Sequence, residues 1–264
     1  MTKSELQNTN AESPVALVTG AGRRVGNALA LALAEQGYRL VLHANRSRDL
    51  ADATARQLNS QSSSQDKVAI VLPADLRDET ATREMIAAAR DHFGRIDALV
   101  NNAAIWESKP LELTTAADVR RHFEINTLAT FICCQEAGLI MVEQPRGGAI
   151  VNIGDWATAR PYRDYAAYFA AKGSIPTLTR TFAVELGLRN PRVRVNAIMP
   201  GPVLLPEAMS EAERRTTIDA TLVKREGSPR DVALAVLFLL ECTFITGACI
   251  NVDGGRSIYA PQDE

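Results

Sequence analysis

A tyrosine and a lysine lie four residues apart in the segment DYAAYFAAKGS (164–174), and an aspartate precedes the tyrosine by thirteen residues. On a helix, a four-residue step returns to nearly the same face, so the phenol of Tyr168 and the ammonium of Lys172 should meet over one surface patch. A nearby cation favours the phenolate, and we therefore expect a lowered pKa for Tyr168 and a better proton donor at neutral pH. Together with the carboxylate of Asp155, this donor indicates reductase chemistry.

A turn containing glycines, TGAGRRVG (19–26), follows the first predicted strand and opens the first predicted helix. Gly20 and Gly22 permit a tight turn, and Gly26 permits close packing of the helix. Backbone N–H groups at the start of that helix can then bind a pyrophosphate. Such a turn also occurs as a purely structural feature, but its position directly after the first strand favours a nucleotide site.

The end of the second predicted strand distinguishes between the two nicotinamide cofactors. An acid there would hold the ribose 2′-hydroxyl of NAD, whereas an arginine accommodates the 2′-phosphate of NADP. The segment HANRS (43–47) carries Arg46 and no acid before Asp49, and Arg23 in the glycine turn adds a second cation. Arg46 could also be an ordinary solvated side chain, but the absence of an acid beside it favours NADPH.

Apolar strand-like runs alternate with helical patterns along the whole chain. Seven such runs are mostly continuous, which indicates strands buried on both faces of a parallel sheet. We predict an α/β fold with a single Rossmann-type doubly wound parallel sheet of seven strands flanked by helices, with long helices near 115–143 and 165–187. Because no proline- or glycine-rich linker divides the chain, we expect a disordered tail (1–13) and a single dinucleotide-binding catalytic domain (14–264).

Composition excludes several classes of partner. The 264 residues are 46% hydrophobic and carry a net charge of −2, so no basic field favours nucleic acid or an anionic membrane. The polar N-terminal residues lack the apolar core of a signal peptide, and the apolar run at 232–240 is about half the length of a membrane span. Neither the four cysteines nor the three histidines show metal-ligand spacing. We therefore expect a cytoplasmic protein with no metal, nucleic-acid partner or membrane partner.

Further short motifs follow in a fixed order along the chain. They are DL (75–76) after the third strand, NNA (101–103) after the fourth, Asn126, PGPV (200–203) and the terminal VDGG (252–255). With the glycine turn and the Tyr168/Lys172 pair, their joint order and spacing resemble the short-chain dehydrogenase/reductase family over about 14–258.

Two departures from the common family pattern narrow this resemblance. Arg24 replaces the usual third glycine of the turn, and Asp155 replaces the usual catalytic serine. With Trp106 after the NNAA segment and HANRS after the second strand, these residues resemble the pteridine reductase branch, which includes bacterial dihydromonapterin reductases. The resemblance implies that the substrate is a pterin, or a dihydropterin, and that hydride transfer from NADPH reduces one of its C=N bonds to give a tetrahydropterin.

The resemblance also implies roles for individual residues. Tyr168 would donate the proton with Asp155 adjacent, Lys172 would hold the nicotinamide ribose, and Asn126 would bend its helix and hold a relay water. An aromatic ring after the NNA motif sandwiches the pterin against the nicotinamide in that branch, so the substrate residues would be Arg24, Trp106, Asp155 and Tyr168. The implied cofactor-binding residues are Gly20, Gly22, Arg23, Arg24, Val25, Gly26, Asn45, Arg46, Ser47, Asp75, Leu76, Asn101, Ala103, Tyr168, Lys172, Pro200, Gly201 and Val203.

Three of these residues, Trp106, Asn126 and Asp155, have alternative roles. Trp106 could instead be a core or interface aromatic, and Asn126 a polar residue on a helix surface. Asp155 would either orient the tyrosine, relay protons from water, or act as an acid itself if burial raises its pKa. The resemblance further implies a homotetramer packed through the two long helices and the last strand, and the segment 202–228 is expected to form a substrate lid.

Two other functions compete with pterin reduction. A carbonyl reductase of the same family would act on a 3-keto thioester or a small ketone, but an ionised Asp155 would repel the developing alkoxide. A non-catalytic, NADP(H)-sensing regulatory protein would keep the fold, but it has no need to retain Asn126, Tyr168 and Lys172 together.

Overall fold

The computed structural model describes residues 13–62 and 67–261, and it contains the predicted sheet. Seven parallel strands form one sheet in the order β3-β2-β1-β4-β5-β6-β7. The strands are β1 (Val15–Val18), β2 (Arg39–His43), β3 (Ala69–Leu72), β4 (Ala98–Asn101), β5 (Gly148–Ile153), β6 (Val193–Pro200) and β7 (Cys249–Val252). Of the predicted N-terminal tail, residues 1–12 lie outside the described part of the chain.

Helices cover both faces of the sheet. They are α1 (Arg24–Glu35), α2 (Arg48–Gln61), α3 (Glu79–Phe93), α4 (Ala116–Phe123), α5 (Ala129–Glu143), α6 (Ala166–Lys172), α7 (Ile175–Gly187), α8 (Glu211–Asp219) and α9 (Pro229–Glu241). Ala16 and Val18 of β1 pack into one core with α1 and α9, whereas Val15 and Leu17 pack into a second core with α3, α5 and α7. Successive side chains of a strand point to opposite faces of the sheet, so a strand of apolar residues contributes to both cores. The predicted doubly wound fold is confirmed.

The strand order reverses beside β1, which pairs with β2 on one side and with β4 on the other. In a doubly wound sheet, the crevice at this reversal lies at the carboxyl ends of the strands and is the usual place for a ligand. The glycine turn follows β1, the NNA segment continues from β4, and Asp155 follows β5. The topology thus brings the predicted motifs to one edge of the sheet.

The two long predicted helices are interrupted. The first contains a turn of π-helix at Glu124–Leu128, between α4 and α5. The second ends at Lys172 and begins again at Ile175. Pro176 lacks an N–H group and cannot donate to the carbonyl four residues earlier, so the chain breaks into α6 and α7. The break matters for the site, because α6 alone carries the tyrosine and the lysine.

The continuous helical path Ala116–Glu143 is long and apolar enough to cross a membrane by length and composition. In this fold, half of its most apolar window is buried inside the protein. Its α5 portion packs against α3, α7 and β5, and it contributes Cys133, Ala137 and Met141 to the second core. The apolar character of this helix is therefore that of a core helix.

Candidate active site

Asp155 and Tyr168 are in direct contact. Asp155 begins a short 3₁₀ turn (Trp156–Thr158) just after β5, and its Oδ1 accepts a hydrogen bond from the N–H of Ala157 at 2.8 Å. Its Oδ2 accepts a hydrogen bond from the hydroxyl of Tyr168 at 2.7 Å. The cap fixes one carboxylate oxygen, so the other is held toward the phenol. The predicted proximity of these two residues across thirteen positions of sequence is observed.

Lys172 lies one helical turn after Tyr168, but its ammonium does not point to the Tyr168 hydroxyl. Its Nζ is buried and donates a hydrogen bond to the main-chain carbonyl of Ile153 at 2.6 Å. Among the described residues, the ammonium makes no hydrogen bond with the Tyr168 hydroxyl. Burial lowers the pKa of Lys172 to about 8, and the negative charge of Asp155 opposes that shift. The four-residue spacing places the two side chains on one helix face without joining their polar ends.

The predicted lowering of the Tyr168 pKa is wrong for this structure. Burial holds the pKa of Tyr168 well above its ordinary value, and the charge and hydrogen bond of Asp155 add to the effect. Burial also raises the pKa of Asp155, against the hydrogen bonds from Tyr168 and Ala157 and the charge of Lys172. Both changes favour the protonated forms, so the pair retains a proton at neutral pH.

Trp106 belongs to an aromatic cluster beside this pair. Its ring stacks on Tyr165, with centroids 4.8 Å apart, and its Nε1 donates to the Tyr162 hydroxyl at 3.1 Å. Tyr165 in turn meets the ring of Tyr168 edge-on, with centroids 6.4 Å apart. Trp106 remains 45% exposed, so it is not a core residue. Tyr162 and Tyr165 were not among the predicted site residues, although both lie in the aromatic-rich segment around Tyr168.

Asn126 is fully buried and lies within the π-helical turn. Its Oδ1 accepts from the N–H of Ile105 at 2.9 Å, and its Nδ2 donates to the carbonyl of Ile105 at 3.0 Å. The interpretation as a helix-surface polar residue is therefore wrong. These two bonds anchor the loop just before Trp106 to the irregular turn, so Asn126 links the helix to the aromatic cluster. The relay water remains a prediction.

The glycines of the turn are required by close contacts. A Cβ on Gly26 would lie 2.1 Å from the carbonyl oxygen of Gly20, and one on Gly22 would lie 2.3 Å from the Oγ of Ser47. Gly20 has a φ of 66°, in the left-handed region that other residues rarely adopt. A larger residue at these positions would force the turn open, so the turn is shaped for a close approach of backbone atoms.

The NNA segment supports this turn from the other side. Thr19 Oγ1 accepts hydrogen bonds from the N–H groups of Asn102 and Ala103 at 2.9 and 3.0 Å. The Asn102 amide donates to the carbonyls of Thr19 and Gly20. The side-chain amide of Asn101 donates to the side chain of Asn152 inside the fold, and Asn101 is 5% exposed. Its role in binding the cofactor stays a prediction.

The start of α1 suits an anionic ligand. Arg23 occupies the N-cap position without a side-chain cap, and the first turn carries no acidic residue. The N–H groups of the first turn of α1 therefore lack the side-chain acceptors that usually bind them at the start of a helix. Arg24 has a φ of 53° and donates from Nη2 to the carbonyl of Leu204 at 2.5 Å, which joins the turn to the predicted lid.

A cation for a 2′-phosphate is present after β2. Arg46 is exposed and makes no ion pair or hydrogen bond within residues 13–62 and 67–261. The nearby acid, Asp75, is already paired with Arg77 at 2.5 Å. The hydrogen bond from Arg77 lowers the pKa of Asp75, with a smaller contribution from the charge of Arg46. The arrangement fits a dinucleotide that carries an additional phosphate.

The remaining predicted positions border the same edge of the sheet. Pro200 ends β6, and a Cβ on Gly201 would lie 2.4 Å from the Cα of Asp253 in the VDGG segment. Val203 forms an isolated bridge with Gly227, which closes the base of the predicted lid segment. Within that segment, α8 is the regular element. The segment 202–228, which is predicted to be the lid, therefore lies beside the glycine turn and the end of β6.

Comparison with known proteins gives consistent matches. A family profile described as Enoyl-(Acyl carrier protein) reductase matches residues 20–257. A short-chain type dehydrogenase/reductase from Picea abies is 34% identical over 251 residues, which are 92% of each chain. A 3-oxoacyl-[acyl-carrier-protein] reductase from Synechocystis sp. is 32% identical over 248 residues, or 93% of this chain and 97% of the relative.

A solved structure is also similar to this fold. It is a blue fluorescent protein from a metagenomic library in complex with NADPH, with a TM-score of 0.84 and 30% sequence identity. The match covers 94% of this chain and 100% of the other. None of these relatives is named for a pterin.

Proposed function

The chain belongs to the short-chain dehydrogenase/reductase family, and from that premise we propose that it is an NADPH-dependent pteridine reductase. Oxidoreductase chemistry follows from the family, whereas the substrate is our proposal. The observation that carries it is the 2.7 Å hydrogen bond from Tyr168 to Asp155, at the position where most of the family has serine. The proposed reaction reduces a C=N bond of a pterin or dihydropterin to give a tetrahydropterin.

NADPH is the cofactor, as it is in the metagenomic blue fluorescent protein. The N–H groups at the start of α1 would hold the pyrophosphate, and the unpaired Arg46 would hold the 2′-phosphate. In an NAD-dependent enzyme, an acid at this site would hold the ribose 2′-hydroxyl. Asp75 is not available for that role, because its carboxylate is paired with Arg77. When bound, NADPH supplies the hydride of the reaction.

Tyr168 supplies the proton in this proposal. Its hydroxyl keeps its hydrogen at neutral pH and directs it to Asp155 Oδ2. A pterin ring nitrogen next to the carbon that receives hydride would compete with Asp155 as the acceptor, and the O–H bond would break as the new N–H bond forms. Asp155, whose pKa is raised, can take up a proton from water and pass it to the phenolate, which restores the Tyr168 hydroxyl. Lys172, with a pKa of about 8, adds positive charge nearby at pH 7.

The aromatic cluster supports a planar substrate. One face of Trp106 is covered by Tyr165, while 45% of the side chain stays exposed beside the loop that Asn126 anchors. A flat heteroaromatic ring can stack on such an exposed face with little cost in side-chain entropy. We propose that Arg24, which bridges the glycine turn and Leu204, contacts the same substrate.

The second candidate is a carbonyl reductase, favoured by the name of the Synechocystis relative. Its substrate would be a 3-keto thioester or a small ketone. In such an enzyme, the group beside the tyrosine should donate a hydrogen bond to the developing alkoxide. Asp155 instead accepts from Tyr168, and it can donate only when protonated. This geometry favours the pterin.

The proposal is tested by following NADPH oxidation by the purified protein with dihydropterin, with a keto-thioester, and without an acceptor. We expect turnover with dihydropterin well above that with the thioester. A preference for the thioester would establish the carbonyl reductase instead. NADPH binding without turnover of either acceptor would leave a non-catalytic sensor. We further propose that the protein is cytoplasmic and that it forms a homotetramer. The mass of the assembly tests the second of these.

A further inference from the structure

His43, the last residue of β2, is buried, and both nitrogens of its ring face main-chain atoms. Nδ1 lies 3.1 Å from the amide nitrogen of Gly20, and Nε2 lies 3.1 Å from the carbonyl oxygen of Ala74. An amide N–H can only donate and a carbonyl can only accept, so the ring must be the neutral tautomer that carries its hydrogen on Nε2. The main chain thus determines the protonation state of this imidazole.

The two partners of His43 belong to different segments of the predicted dinucleotide site. Gly20 opens the glycine turn, and Ala74 comes directly before Asp75 and Leu76 in the loop after β3. The main-chain carbonyl of His43 also accepts the N–H of the residue after Gly20, at 2.8 Å. The turn and the loop are therefore connected through one side chain at the end of the strand between them.

We propose that His43 is a positioning residue for the dinucleotide, whose neutral imidazole sets the distance between the glycine turn and the loop that carries Asp75 and Leu76. The proposal rests on the NADPH binding proposed above and adds a residue that acts through the main chain of Gly20 and Ala74. Affinity for NADPH then depends on His43, whereas the hydride and proton transfers at Tyr168 do not.

The surroundings of the ring agree with a neutral imidazole. Burial lowers the pKa of His43, and the hydrogen bond to Ala74 and the charge of Asp75 oppose this shift without removing it. Leu72 of β3, which pairs with His43, carries no titratable group, and neither does Val18 of β1, which pairs with the preceding residue, Leu42. A proton on Nδ1 would oppose the N–H of the turn, so the charged ring cannot keep both bonds.

The test compares three variants with the wild-type protein. His43→Phe preserves an aromatic ring but can neither accept from Gly20 nor donate to Ala74. His43→Asn offers one side-chain oxygen near the position of Nδ1 and so keeps the acceptor for the turn. His92→Phe is the matched control, because His92 is exposed on α3. The Kd for NADPH is measured by fluorescence titration, and kcat is measured at saturating NADPH.

We expect His43→Phe to raise the Kd for NADPH about tenfold or more, since two main-chain groups lose their partner. Its kcat at saturating NADPH should stay within about twofold of wild type, as expected for an effect on ground-state binding alone. His43→Asn should give an intermediate Kd, and His92→Phe should match wild type. An unchanged Kd in His43→Phe, with NADPH bound normally by wild type, overturns the positioning role and leaves the proposed function intact.

A second measurement applies even if His43→Phe does not fold. Nitrogen-15 NMR of the wild-type imidazole should show a neutral ring with its hydrogen on Nε2 at pH 7. A charged ring, or a hydrogen on Nδ1, contradicts the proposal. Failure of the wild-type protein to bind NADPH would instead overturn the proposed cofactor, and the NMR result would still decide the state of His43.

Discussion

The hydrogen bond from Tyr168 to Asp155 determines where the site keeps its proton. A serine at this position would offer a hydroxyl that can donate to a substrate, whereas the carboxylate accepts from the phenol and raises its pKa. The proton therefore stays on Tyr168 until a better-placed acceptor arrives. A basic ring nitrogen can be such an acceptor, and we therefore propose that this single residue favours C=N over C=O reduction.

Asp155 also makes stability depend on pH. Its pKa is raised in the folded protein, so between the unfolded and folded values the native state holds a proton that the unfolded state has released. Stability therefore falls as pH rises through this window, and the loss persists at pH 7. Asp155→Asn carries no charge, and its amide can accept from Ala157 while donating to the oxygen of Tyr168.

We therefore expect Asp155→Asn to melt at a higher temperature than wild type at pH 7. The difference should diminish as pH falls toward the ordinary carboxyl pKa of about 4, because the wild-type residue then takes up a proton in the unfolded state as well. Thermal melts of both proteins from pH 4 to pH 8 measure this. A difference in Tm that stays constant across that range would show that Asp155 is not the group responsible.

We propose that cofactor choice, too, depends on one residue, Arg46. Arg46→Asp places a like charge beside the 2′-phosphate and offers an acceptor to a free 2′-hydroxyl, so the preference for NADPH over NADH should fall or reverse. The ratio of kcat/KM for the two cofactors is the measurement. Arg56→Asp, an exposed arginine on α2, is the matched control and should leave the ratio unchanged. Equal ratios in Arg46→Asp and wild type would remove Arg46 from the site.

At the scale of elements, irregular segments position Asn126 and the loop before Trp106, on the proposed substrate side of the site. Asn126 lies in the π-helical turn and makes two hydrogen bonds with the main chain of Ile105. These bonds hold the loop that leads to Trp106. A regular helix from 116 to 143 would present its side chains differently. The predicted long helix was correct in position, but its irregular turn depends on a partner 21 residues away, which local periodicity does not contain.

The Trp106 loop supports a prediction at this scale. Trp106→Ala should weaken pterin binding by about 1–3 kcal/mol through loss of stacking, while NADPH binding stays nearly unchanged. The control is Leu113→Ala, which changes an exposed apolar residue on the 3₁₀ turn Leu111–Leu113, and this variant should bind both ligands as wild type does. Separate titrations with pterin and NADPH provide the comparison. Loss of NADPH binding, or unfolding, would make Trp106 a structural residue.

The fold was predictable from sequence because apolar runs and turn residues act locally, whereas parts of the site were not. The predicted parallel sheet of seven strands is present, and Tyr168 does lie beside Asp155. The four-residue spacing of Tyr168 and Lys172 could not show that the ammonium donates its hydrogen bond to the main-chain carbonyl of Ile153. Likewise, the role inferred for His43 depends on two main-chain groups 23 and 31 residues away, which no motif records.

At the scale of the whole molecule, apolar side chains remain exposed on the outer helices. Leu128 and Phe131 near the start of α5 are 47% and 36% exposed, and Val184 and Leu188 near the end of α7 are 60% and 84% exposed. Burial of such side chains between copies of the chain would stabilise an assembly. This surface agrees with the expected packing of a homotetramer through these helices.

We expect light scattering to give about four times the 28.6 kDa mass of one chain. Phe131→Glu should reduce the mass, because an unpaired carboxylate would be buried in the interface. Leu50→Glu, an exposed leucine on α2, is the control and should leave the mass unchanged. A wild-type protein of 28.6 kDa in solution would refute the tetramer without affecting the chemistry of the site.

The central claim, that Asp155 adapts this site to a pterin, is tested most directly by Asp155→Ser. We measure kcat/KM for a dihydropterin and for a simple ketone, with NADPH, on wild type and variant. Loss of one acid–base participant should lower pterin reduction roughly 10²–10⁴-fold. The ketone, whose alkoxide no longer meets a carboxylate, should lose less or gain. The predicted result is thus a change in the ratio of the two activities, and unchanged pterin turnover in Asp155→Ser would contradict the claim.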